Sequence, residues 1–155
     1  MAARGSCVGL YLAVLLVCST CVTLLECEKM KVTGKVTVSG QDEGISLGKE
    51  SFFTVKLEDT SLMDASAVVL GKYEQLLPLG TKLGPEGLNY TIIFEKPKHL
   101  GPMNSLSAVL NVGWKPTGDE WIRKGDYFTD TFHPVDLKQE TEPIVSDIVM
   151  VHYPK

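Results

Sequence analysis

The chain has 155 residues, of which 44% are hydrophobic and 22% charged, and it carries a formal net charge of −4. These values fit one ordinary globular core rather than a low-complexity or disordered segment. There is no lysine or arginine block, so the electrostatic footprint of a nucleic-acid binder is missing, and the dispersed acidic residues form no acidic tail.

The first element is apolar. After Arg4 the run Cys7–Leu25, "CVGLYLAVLLVCSTCVTLL", has no charge until Glu26. That is the pattern of a secretory signal peptide over residues 1–27, with cleavage expected near residues 20–27 where small side chains gather. The run also approaches the length of a membrane span, so an uncleaved signal anchor through residues 7–25 is the alternative. Both readings place residues 28–155, the expected single domain, on the lumenal or extracellular side. Cleavage would leave that domain without membrane contact. All four cysteines, Cys7, Cys18, Cys21 and Cys27, lie at or before residue 27, so this domain has no internal disulfide and must fold on hydrophobic burial.

Seven period-2 segments follow: 31–39 (KVTGKVTVS), 51–58 (SFFTVKLE), 67–74 (AVVLGKYE), 88–95 (LNYTIIFE), 105–114 (SLSAVLNVGW), 120–128 (EWIRKGDYF) and 144–153 (IVSDIVMVHY). Their Val, Ile, Phe, Tyr and Thr suit a pleated, half-buried surface, and Gly/Pro-rich clusters separate them. No sustained helical stripe competes. The pattern predicts an all-β fold, a small antiparallel β-sandwich of about seven strands of the immunoglobulin or prealbumin-like kind. Alternation assigns Phe53, Val55 and Leu57, and Leu106, Ala108, Leu110, Val112 and Trp114, to inward faces. The stretch "VGWKPTGDEW" reads as a hairpin with Trp114 and Trp121 facing each other across the strand pair.

Asn89-Tyr90-Thr91 is an N-x-T sequon on the polar face of the 88–95 segment, which makes Asn89 the candidate glycosylation site. The candidate metal ligands are Asp59, Asp64, Asp126 and Asp130, because a calcium ion takes 6–8 oxygen donors and loop carboxylates at a sandwich end are suitable. Their spacing is not that of a calcium loop. The expected role of Asp59 is structural, its oxygen accepting backbone N–H groups where the strand ends.

His99, His133 and His152 have no second histidine or cysteine at metal-ligand spacing, and no nucleophile elbow or phosphate loop occurs. The chain therefore reads as non-enzymatic, without cofactor and without catalytic residues.

The succession "VTGKVTV", "FFTVKLEDTSLMDASAVVLGK", "LNYTIIFE", "SLSAVLNV" and "GDYFTDTFHPV" resembles the YbaY/YscW-like lipoprotein family, which includes lipoprotein chaperones, or pilotins, of type III secretion. The resemblance covers roughly residues 31 to 151. Its most specific parts are Leu57-Glu58-Asp59-Thr60-Ser61-Leu62 with Asp64-Ala65, and Tyr127-Phe128-Thr129-Asp130. It implies a small β-sandwich that binds other proteins or has no characterised role, and implies no catalysis. The chain departs from that family in lacking a convincing lipobox before any cysteine, so the pilotin role is not carried over.

The leading functional expectation is a secreted binding module with an extracellular protein partner, held by loops at one sandwich end or by an exposed strand edge. One alternative is a small-molecule or lipid carrier, or a hydrolase, with a pocket between the sheets lined by Trp114, Trp121, Tyr127 and Phe128. The other is a structural component of the extracellular matrix.

Overall fold

A computed structural model describes residues 28–40, 44–62, 64–139 and 142–154. The expected signal peptide, its cleavage site and all four cysteines lie outside these residues. The elements are β1 (Lys29–Val38), β2 (Ile45–Ser46), β3 (Ser51–Asp59), β4 (Val68–Leu77), β5 (Lys82–Leu83), β6 (Leu88–Glu95), β7 (Asn104–Val112), β8 (Tyr127–Phe128), β9 (His133–Pro134), β10 (Ile144–Val145) and β11 (Ile148–His152). The fold is all-β, as the alternating segments predict. Among the described residues six strands are longer than two residues, and five two-residue segments complete the pairing.

Nine of the strands form one curled sheet, in the order β10-β1-β11-β8-β7-β3-β4, with β6 also on β1 and β9 also on β7. Its two halves pack against each other as a small sandwich, while β2 and β5 make a separate ribbon. Strand β11 belongs to both halves: Ile148–Met150 pair with β1, and Val151 and His152 pair with β8. The pairing is mixed rather than wholly antiparallel, because β1 runs parallel to both β10 and β11.

The core follows from alternation. Phe53, Val55 and Leu57 of β3, Leu106, Ala108 and Leu110 of β7, and Tyr90, Ile92 and Phe94 of β6 are all buried. Their neighbours Thr54, Lys56, Ser107, Asn89, Thr91 and Ile93 point outward or lie half-buried. Shifting any of these strands by one residue would exchange the two sets, which fixes the register. At the open side of the sandwich β4 lies over β6. A Cβ at Gly71 would run into Ile92 and Phe94, so only glycine permits this approach.

The sequence segment 144–153 is one apolar run but two strands. At Ser146-Asp147 the chain steps off the ladder. The Ser146 amide donates to Thr33 O (2.9 Å), and the Asp147 carboxylate accepts the Lys35 amide (2.8 Å) in place of a strand partner. Tyr90 reaches from the core to donate its hydroxyl to Ser146 O (2.7 Å), and burial, helped by the nearby Asp147 carboxylate, raises its pKa above the ordinary tyrosine value. Gly34 leaves room for this crossing, since a Cβ there would collide with Ser146 O.

The expected strand 120–128 is the main correction. Only Tyr127 and Phe128 pair, and residues 113–126 form a loop. Trp114 and Trp121 are therefore not a cross-strand pair. Each indole instead serves a different surface, described next.

Candidate functional site

The 113–126 loop is built around a buried carboxylate. Asp126 is 1% exposed and accepts four N–H groups: Val112 N (2.8 Å), Arg123 N (2.8 Å), Asn111 Nδ2 (3.2 Å) and Trp114 Nε1, the last shared between its two oxygens (3.0 and 3.2 Å). Asn111 extends the network by donating to Trp121 O (2.9 Å). The Arg123 guanidinium lies 3.9 Å over the Trp114 ring and is forked on Glu120, which raises the Arg123 pKa and lowers that of Glu120. A buried carboxylate is tolerated only when hydrogen-bonded, and here protein donors fill that role.

At the other end of β7, Asp59 closes the β3 strand. Its Oδ1 accepts the Ser61 amide (2.9 Å) and the Ser61 hydroxyl, and its Oδ2 accepts the Gly101 amide (3.3 Å). The Ser61 hydroxyl, then the Ser61 and Gly101 amides, hold the Asp59 carboxyl below the ordinary carboxylate value. Met103 O accepts the Thr60 amide (2.9 Å), and the Met103 amide donates to Ser61 Oγ (3.1 Å), so the β3 end and the 100–103 loop are stitched into one surface.

The four candidate ligands are thus scattered. Asp59 and Asp126 sit at opposite ends of β7, separated by roughly 27 Å of nine-residue strand. Asp64 and Asp130 are exposed on other loops. Among the described residues no three His, Cys, Asp or Glu side chains come together at a common metal position. His133 is a structural tie: its Nε2 accepts the Val149 amide (3.2 Å) and its Nδ1 faces Thr131 O (2.9 Å), so the proton sits on Nδ1.

Two of the concave surfaces among the described residues bear on the candidate residues. The first is a groove of about 280 Å³ beside the Asp59 end, bounded by Pro102, Met103, Asn104, Phe132, Pro134 and Lys138. Met103 and Phe132 on its rim are 48% and 53% exposed. Asn104 donates to Gly101 O (3.2 Å), yet its own Oδ1 is buried with no protein donor among the described residues. The alternating pattern reveals strands and does not mark this groove, because its walls come from two segments, around residues 101–104 and 132–138. The repeated exposed apolar residues in Gly/Pro-rich turns were the one available signal.

The second surface is smaller, about 190 Å³, and lies on the outer face of β3 and β7 against Trp121 and Phe128. It corrects the pocket expected between the sheets. Tyr127 is buried in the core, Trp114 is fixed on Asp126, and only Trp121 and Phe128 line a cavity, which opens outward. Trp121, Phe128 and Tyr153 follow one another edge to face. Asn89, with Thr91, is exposed on β6 opposite Lys35 of β1.

No protein-family model and no curated protein matches the sequence. Among solved structures the chain is similar to an alternative pilotin from the type II secretion system of Vibrio cholerae, at 23% identity and a TM-score of 0.54, over 80% of this chain and 96% of that one. What the chain shares with that secretion-system pilotin is therefore its fold: a small curled β-sandwich.

Proposed function

We propose that the chain is a secreted, non-enzymatic β-sandwich module that binds another protein through the groove beside Asp59. The carrying observation is the placement of exposed Met103 and Phe132 on the rim of a concavity beside the Asp59 end. Apolar side chains exposed around a concave surface mark partner contacts. The fold likeness to a pilotin, and the resemblance of the sequence to YbaY/YscW-like lipoproteins, support protein binding over catalysis. Of the aromatics expected to line a carrier or hydrolase pocket, Tyr127 is buried in the core and Trp121 and Phe128 share only an outward cavity of about 190 Å³, which disfavours a pocket at that place. The leading apolar run supports export, and the exposure of Asn89 and Thr91 supports a glycan there.

The test is site-directed photocrosslinking of the secreted chain, with the photoreactive group at Phe132 or Met103 and, for contrast, at Glu86. A discrete crosslinked protein from the first two sites and none from the third is expected. The same product from all three sites, or no product from any, sinks the reading. The mass and N-terminal sequence of the same secreted material, compared with an Asn89→Gln variant, test cleavage and the glycan.

A further inference from the structure

We propose that β4 is a self-pairing edge, and that a second copy of the chain docks antiparallel along it in a two-fold arrangement centred on Tyr73. Strand β4 is ten residues long and pairs with β3 on one side only among the described residues. Most of it is exposed, and no proline interrupts it before Pro78. Natural sheets usually blunt such an edge by shortness, proline or inward charge. The guard present here is the irregularity opposite Leu57 and Glu58, where Leu70 is the extra residue. That leaves Gly71–Gln75 as a regular segment on each copy.

Charge selects the register. In a two-fold antiparallel pair, facing side chains lie on the same side of the sheet, so the axis must pass through a residue that opposes itself. Centring on Lys72 would oppose two lysines, and centring on Glu74 two glutamates. Centring on Tyr73 puts Lys72 of each copy opposite Glu74 of the other. Within one chain Lys72 already bonds Glu74 (2.8 Å). The dimer would therefore carry a four-charge square in which every neighbour, along the strand and across it, has the opposite sign.

A second observation favours the same partner. On β3, Lys56 is directly opposite Lys72, a like-charged cross-strand pair, while Thr54 is opposite Glu74. Like charges placed so are unfavourable. A single chain offers this pair one carboxylate on β4, and the docked copy brings a second. Leu76, 58% exposed, then stands beside the Leu70 position of the other copy. This contact is separate from the groove at Met103 and Phe132, so either can fail without the other.

The experiment is analytical ultracentrifugation of the secreted full chain from micromolar to millimolar concentration, with reductant present to exclude any cysteine link. The parent is expected to reach a monomer–dimer equilibrium. K72E and E74K each place like charges at both crossing points and should weaken it by about ten-fold or more. An equimolar mixture of K72E and E74K restores opposite charges at both points and should recover the dimer, as should the double variant K72E/E74K. Recovery on mixing also shows that both single variants are folded. A parent that stays monomeric at millimolar concentration overturns the proposal. So does K72E associating as well as the parent, or a mixture that fails to recover what the single variants lose.

Discussion

Two aspartates bracket β7, and they do opposite kinds of work with the same chemistry. Asp126 is enclosed, and its four donors tie a loop that carries both tryptophans. Asp59 is at the surface and ties two short loops beside an open groove. An enclosed carboxylate that loses its contacts leaves donors stranded away from water, whereas an open one leaves donors that water can reach. The Asp126 end should therefore behave as scaffold and the Asp59 end as a shaped but adjustable surface.

The largest expected effect is at the scaffold end. Asp126→Ala strands several buried N–H groups and is predicted to lower stability by about 3–4 kcal/mol, read by denaturant unfolding. Asp126→Asn keeps one acceptor and should lose less. If Asp126→Ala unfolds at the parent's midpoint, the two ends are alike after all. Next comes Gly101→Ala, whose Cβ would push into the Asp59 carboxylate and Ser61 hydroxyl. Forcing that contact apart is predicted to cost about 1–3 kcal/mol and to disturb the groove, seen as faster amide exchange at Ser61 and Met103.

Trp114→Phe keeps the ring under Arg123 but removes the indole N–H from Asp126, for a loss of about 1 kcal/mol. Its check is thermal melting beside Trp121→Phe, which should be milder because Trp121 contributes its backbone carbonyl to the network rather than its ring nitrogen. The smallest effect is that of Asp59→Asn, and it should depend on pH. The folded carboxyl titrates below its unfolded value, so its contribution is whole above the ordinary carboxylate range and fades as pH falls through the folded pKa. The melting temperatures of variant and parent should differ at neutral pH and converge in strong acid. A gap that widens in acid would contradict the assigned sign.

The strands were legible because alternation with β-branched and aromatic residues leaves little choice of face. Residues 88–95 match β6 end to end, and 51–58 match β3 to within one residue. The misreading at 120–128 has a physical cause. Trp121 and Arg123 alternate as a strand would, but Arg123 lies over the Trp114 ring with its amide on the Asp126 carboxylate, Trp121 packs on Phe128, and no periodicity records that. The single strand expected over 144–153 fails for a similar reason, because Asp147 supplies from its side chain the acceptor that a ladder would supply from backbone. The candidate groove left no periodic signal, being assembled from the segments around residues 101–104 and 132–138.

The parallel pairing of β1 with β11 also fixes an order of events. The first strand cannot complete its inner border until Ile148–Met150 exist and have arrived beside Val36–Val38. Long-range pairings of this kind close late, after a large loop entropy has been overcome. Delivery of this chain from its N-terminal end would hold β1 without its β11 border until residues 148–150 emerge.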